Sequence, residues 1–189
     1  MRKLVVSEFV SLDGVMEDPG GVENFEHGGW TMPYWDEGIG KFKFDELFAS
    51  DALLLGRVTY QGFAAAWPSR KDPQGFAERM NNLPKYVVST TLKKVEWSNS
   101  RLIRGNIIEE VSKLKQQPGQ DILITGSGEL VNKLMPHQLI DEYRLLVYPV
   151  ILGSGKRLFR EESDANLRLV EARTFGSGVA LLRYQPVNK

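Results

Sequence analysis

A chain of 189 residues, 42% hydrophobic and 25% charged, is long enough to bury the core of one domain. Its 24 acidic and 24 basic residues cancel, which argues against nucleic acid or a membrane surface as the main partner. Cysteine is absent and the two histidines, His27 and His137, lie far apart, so disulfides, thiolate chemistry and a zinc site are excluded.

Lys3 to Val10 is β-rich and partly alternating and reads as a first strand, with no signal peptide expected ahead of it. It ends at Ser11-Leu12-Asp13-Gly14, where Asp-Gly signals a turn. Residues 17 to 34 read as a long loop, punctuated by Pro19, Gly20, Gly21, Gly28, Gly29 and Pro33. A loop of this length in a compact domain is functional or disordered. The aromatics in and beside it (Phe25, Trp30, Tyr34, Trp35) either fold over a ligand or pin the loop to the core, and both readings stand.

Asp36 to Phe48 has helical spacing, with Ile39, Phe42, Leu47 and Phe48 on roughly one side. Ala52 to Leu55 is a buried strand that runs into Gly56-Arg57-Val58-Thr59-Tyr60, a glycine and a helix start. An arginine at a helix start is unfavourable beside the dipole unless an anion sits with it. The plain alternative is a surface pairing with a neighbouring carboxylate. Trp67 to Asn82 reads as loop with some helix, and Tyr86 to Val88 as a third strand ending in Ser89-Thr90-Thr91 and Lys93-Lys94. Leu102-Ile103 is a short strand and Ile107 to Lys115 an amphipathic helix.

The central stretch is Asp121 to Met135. Ile122 to Ile124 forms a strand, Gly126-Ser127-Gly128 a turn, and Leu130, Val131, Leu134 and Met135 recur at helix spacing. Strand, glycine turn and helix start suit a phosphate, since the backbone can approach closely and the helix offers free N–H groups. A tight turn with no ligand has the same pattern. The dinucleotide fingerprint of doubly wound folds needs a third glycine, but that position is Val131. Tyr143 to Ile151 is β-rich, and the longest apolar stretch, Leu145 to Leu152, is too short to span a bilayer and is broken by Pro149. Asn166 to Thr174 and Val179 to Tyr184 flank Gly176-Ser177-Gly178 as a closing hairpin.

Strands alternate with helices to about residue 135 and dominate afterwards. This predicts a single α/β domain over residues 1–189, with a mostly parallel sheet, helices on both faces and an antiparallel C-terminal hairpin. Ligands of such sheets bind at the strands' carboxyl ends. Three of those ends carry phosphate-compatible residues: Gly56-Arg57-Val58-Thr59, Ser89-Thr90 and Gly126-Ser127-Gly128. Together they point to one ligand with several phosphates.

Four motifs occur in the order found in the dihydrofolate reductase-like superfamily. They are Ser11-Leu12-Asp13-Gly14, Leu55-Gly56-Arg57-Val58-Thr59-Tyr60, Leu83 to Ser89 and Ile124-Thr125-Gly126-Ser127-Gly128-Glu129-Leu130. With Leu139 to Glu142, Tyr148 to Gly155 and Leu158-Phe159, the chain most resembles the reductase domain of the bifunctional riboflavin-biosynthesis deaminase/reductase and its stand-alone relatives. The resemblance implies a three-layer dihydrofolate reductase-like fold, NADPH as cofactor, a cytoplasmic location and a homodimer. It also implies that Gly56, Arg57 and Thr59 contact the pyrophosphate and the 2′-phosphate side. Ser89 and Thr90 would bond the 2′-phosphate, and Thr125, Gly126, Ser127, Gly128, Glu129 and Leu130 would cradle the pyrophosphate through backbone N–H groups.

Two departures narrow the activity. The acid that orients the pterin in dihydrofolate reductases would fall near Gly40, with Asp36 and Glu37 a turn earlier and Asp45 later. The lysine that riboflavin-pathway reductases carry in the first strand is Ser7 here, and their deaminase partner is absent. The expectation is an NADPH-dependent reductase of a small pterin- or pyrimidine-type heterocycle. By family default this is 5-amino-6-(5-phosphoribosylamino)uracil reductase-like activity in riboflavin biosynthesis. Dihydrofolate reduction and a non-catalytic NADPH-binding module are the alternatives. Candidate catalytic residues are Asp13, Asp36 and Glu37, and candidate substrate contacts are Trp30, Trp35 and Gly153.

Overall fold

The computed structural model describes residues 1–187. Its eight strands form one sheet in the order β4-β3-β2-β5-β1-β6-β8-β7. In chain order these are β1 (Leu4–Ser11), β2 (Ser50–Gly56), β3 (Lys85–Val88), β4 (Ser100–Ile103), β5 (Asp121–Ile124), β6 (Glu142–Tyr148), β7 (Leu167–Thr174) and β8 (Ala180–Pro186). The helices are α1 (Glu37–Phe48), α2 (Arg57–Ala66), α3 (Phe76–Asn82), α4 (Ile107–Gln116) and α5 (Gly128–Leu134). β1 to β6 pair in parallel, while β8 joins β6 and β7 antiparallel. The expected mixed sheet with a closing hairpin at one edge is therefore the one observed.

β1 and β2 read as near-continuous apolar runs because both faces of a central parallel strand are covered by helices. On one face Leu4, Val6, Ile122 and Ile124 pack with Val111 and Leu114 of α4 and Leu130, Val131 and Leu134 of α5. On the other, Val5, Leu53, Leu55 and Val87 pack with Leu47 of α1, Tyr60 of α2 and Met80 of α3. A third cluster joins Trp30 and Ile39 to Leu146, Tyr148, Val179 and Leu181, so part of the long loop belongs to the core. β6 stops at Tyr148 rather than Ile151, since Pro149 has no N–H to offer a ladder. Among the described residues no helix is long and apolar enough to cross a membrane.

Candidate functional site

The strand order sets β3, β2, β5 and β1 side by side, so the three strand ends singled out in the sequence share one edge of the sheet. Two helices start there. α1, α3 and α4 have first-turn N–H groups taken by side chains: Asp36 accepts from Ile39, Asp72 from Phe76 and Ala77, and Asn106 from Ile108 and Glu109. α2 and α5 have no side-chain cap. Their leading N–H groups, on Arg57, Val58 and Thr59 and on Gly128, Glu129 and Leu130, have no intrahelical acceptor by the geometry of a helix start.

A relay of hydroxyls locks the two starts together. Gly56 N–H donates to Ser127 Oγ at 3.0 Å, Ser127 donates to Thr59 Oγ1 at 3.0 Å, and Thr59 donates to the Gly126 carbonyl at 2.7 Å. Gly126 has φ +67°, and a Cβ there would lie 3.0 Å from Thr59 Cγ2, so this turn needs glycine for both backbone and space.

Beneath the turn lies a carboxylate that the sequence reading passed over. Glu8 is 3% exposed, and it accepts the Gly126 N–H at 2.8 Å and the Ser127 N–H at 3.3 Å. Those two amides were expected to cradle a pyrophosphate, but they are already occupied. Only the N–H groups from Gly128 onward remain for a ligand at this turn. Burial drives the Glu8 carboxyl up to about 7, against the two amide bonds and the nearby Lys43, which favour the ionised form. The signal in the sequence was Ser7-Glu8, a polar pair inside an apolar strand.

Arg57 is exposed at the start of α2 and donates to Gln61 at 3.1 Å. No carboxylate among the described residues pairs with it, so the surface ion pair weighed as its plain explanation is not present. Thr90 is exposed. Ser89 is buried, and its hydroxyl accepts from the N–H groups of Thr91 and Leu92, so it shapes its own turn rather than facing the groove. Glu129 is exposed and paired with Arg160, while Leu130 faces the core. Thr125 is half-buried at the end of β5.

On the far side of β1, the Asp13 carboxylate accepts from Ser11 Oγ (2.7 Å), Leu152 N–H (3.1 Å) and Gly153 N–H (2.8 Å). The Ser11 hydroxyl is the main cause holding its carboxyl down at about 2. Asp13 thus straps the end of β1 to the loop after β6 and is a poor proton donor at neutral pH. Asp36 caps α1 and also takes the Ser177 N–H of the closing hairpin at 2.9 Å. These bonds, the Ile39 one first, lower its carboxyl below the usual range. Glu37 is exposed on the first turn of α1.

Trp30 is 6% exposed, donates to the Glu17 carbonyl and stands edge-on to Tyr148, so it pins the loop instead of offering a free ring. Trp35 is exposed and edge-on to Phe9, beside Gly40. Gly153 sits in the strap at φ +76°. At the position where the resemblance expects a strand lysine, Lys43 of α1 brings an ammonium from the opposite side and donates to Ser7 Oγ at 2.9 Å. Lys43 also pairs with the buried Glu46.

The family described as RibD C-terminal domain matches residues 2–181. The uncharacterised protein YyaP of Bacillus subtilis (strain 168) is 34% identical over 187 residues, covering 97% of this chain and 94% of its own. Among solved structures, a candidate riboflavin biosynthesis protein of Shewanella sp. PV-4 superposes with a TM-score of 0.71 at 20% identity, over 98% of this chain and 99% of its own. A dihydrofolate reductase of Enterococcus faecalis, complexed with NADP(H) and RAB-propyl, superposes with a TM-score of 0.63 at 15% identity, over 98% and 97%. These two likenesses establish the dihydrofolate reductase-like fold.

Proposed function

The chain belongs to the RibD C-terminal domain family, and on that premise we propose that it is an NADPH-dependent reductase of a small pyrimidine- or pterin-type heterocycle. The observation that carries the reading is the pair of uncapped helix starts, α2 and α5, locked side by side at the sheet's carboxyl edge. Paired N-termini of this kind favour an anion between them, and a pyrophosphate has the charge to meet both. The exposed Arg57 adds a cation with no acidic partner among the described residues, suited to the extra 2′-phosphate that separates NADPH from NADH. Thr90 adds an exposed hydroxyl on the neighbouring strand end.

The donor set fits the cofactor, with one adjustment: the pyrophosphate is held from Gly128 onward and not by Gly126 and Ser127. When bound, the nicotinamide supplies the hydride. The chain's own residues position it. The Thr59–Ser127 relay fixes the groove, the Asp13 strap fixes the end of β1, and Trp35 with Phe9 offers an aromatic wall on the α1 side. Asp36, Asp45 and Glu46 each have partners, so of the acids at α1 only the exposed Glu37 is without one among the described residues. Self-association through the exposed edge strand β7, with Leu169 and Val170 outermost, belongs to the same reading. Sedimentation as a monomer would remove that part.

Titration of NADPH and NADH, followed by nicotinamide fluorescence on wild type and Arg57→Ala, tests the assignment. Tighter binding of NADPH, with the preference lost in the variant, supports it. Failure of both nucleotides to bind overturns it. With binding in hand, a screen of reducible pyrimidines and pterins separates an enzyme from a binding module.

A further inference from the structure

We propose that Glu8 is a proton-controlled clamp on the Gly126–Ser127 turn. Ionised, its carboxylate holds both amide N–H groups; protonated, it gives up part of that hold and lets the turn meet an anionic ligand.

The geometry comes first. Glu8 stands in the central strand, buried on all sides, and its described hydrogen bonds are the two to Gly126 and Ser127. No lysine or arginine forms an ion pair with it among the described residues. A carboxylate buried without a cation is costly when charged, and two amide bonds offset only part of that cost. A carboxylic acid, by contrast, has one oxygen carrying a hydrogen, which faces an N–H as donor against donor. Protonation must therefore weaken at least one of the two amide contacts and with it the turn.

The surroundings do not override this balance. From α1, Lys43 favours the ionised form and Glu46 opposes it. Residues Thr125 to Gly128 bring no titratable side chain to the turn. Glu129 of α5 is engaged by Arg160, and Arg57 at the start of α2 lies on Gln61. Across β1 from β6, Arg144 is committed to Glu46 and Glu142. Desolvation thus decides, and it sets the titration of Glu8 at about 7, inside the range a cell visits.

The consequence for ligand binding rests on the proposed pyrophosphate groove. A dianion arriving above the turn repels an ionised Glu8 below it, so binding draws a proton onto Glu8 and affinity falls as pH rises through 7.

Two measurements test the clamp. In the ligand-free protein, the amide shifts of Gly126 and Ser127 followed by NMR from pH 5 to 9 should move together through one transition near pH 7. That transition should vanish in Glu8→Gln. Flat amide shifts in wild type, or the same transition surviving in the variant, overturn the proposal. Should Glu8→Gln fail to fold, the wild-type titration decides alone. Calorimetry of NADPH at pH 7, in buffers of different ionisation enthalpy, should show net proton uptake that Glu8→Gln lacks. NADH, without the 2′-phosphate, controls for protonation of the ligand. Binding without proton uptake removes the linkage. If neither nucleotide binds, the reading of the groove fails, and the amide titration still decides the clamp.

Discussion

Replacing Glu8 by Gln should change the way stability depends on pH. The folded carboxyl titrates at about 7 and an unstrained one at 4.5, a gap of 7 − 4.5, or about 2.5 units. At about 1.4 kcal/mol per unit the full linkage is roughly 3 kcal/mol. The sign follows from proton counts. Between the two values the folded protein holds a proton that the unfolded chain has released, so stability is greatest below the unfolded value and is lost as pH rises through the folded one. Glu8 is fully buried, so solvent screening does not reduce the figure. Integrated from pH 5 to pH 8, wild type should lose roughly 2–3 kcal/mol from this residue. Carboxyls held low, such as Asp13 and Asp36, slope the other way but are common to both proteins. The difference between the two curves therefore isolates Glu8. Urea denaturation at pH 5, 6, 7 and 8 measures it. The variant should gain on wild type by about 2–3 kcal/mol across that range, whichever is more stable at the start. Parallel curves, within about 0.5 kcal/mol, would refute the reasoning that a buried, unpaired carboxylate sits under the turn.

Other substitutions probe separate parts of the same frame. Lys85 is fully buried and gives its three hydrogens to the carbonyls of Asn81, Leu83 and Ser98. Lys85→Met should cost roughly 3 kcal/mol or more in urea denaturation, since three acceptors lose their donor. Gly126→Ala forces a left-handed residue and a close contact with Thr59, and should cost about 1–2 kcal/mol and weaken NADPH binding in the fluorescence titration. Asp13→Asn should lower the rate of the proposed reductase by loosening the strap to Leu152 and Gly153, yet leave the shape of the pH–rate profile between pH 5 and 9 unchanged. Asp13 stays ionised down to about 2, so a changed profile would mean that it handles a proton after all.

Most of the fold is legible in the sequence because its signals are local. The apolar runs of β1 and β2, the helical spacing of α4 and the glycine-centred closing hairpin each declare themselves within ten or so residues. That the strand ends at Gly56, Ser89 and Gly126 share one edge of the sheet is also readable, since alternating strands and helices imply a parallel sheet with its loops on one edge. What is not legible is which polar groups find each other across the sheet. Glu8 and Gly126 are 118 residues apart, and Asp13 and Gly153 are 140 apart. A turn that looks open to phosphate in the sequence is partly filled by a side chain from another strand. The only hint is that a glutamate sits where both faces of a strand are buried, a place that demands donors from somewhere.

The same reasoning bears on the absent strand lysine. Position 7 is a serine, yet an ammonium reaches it from Lys43 on α1. Lys43 pairs with Glu46, Glu46 with Arg144, Arg144 with Glu142, and Glu142 with Arg183 of β8. Buried pairs of this kind add little net stability, because desolvation offsets most of their attraction. They do fix which face of α1 meets the sheet, and Asp36 ties the helix's start to the closing hairpin. With α1 held along its length, the segment between Gly14 and Trp35 is tied down too, Trp30 by its bond to the Glu17 carbonyl and its place in the third core cluster. Met16 of that segment lies against Gly128, so close that an added Cβ would sit 2.6 Å from its sulfur. The turn is thus bonded from below by Glu8 and approached from the loop by Met16.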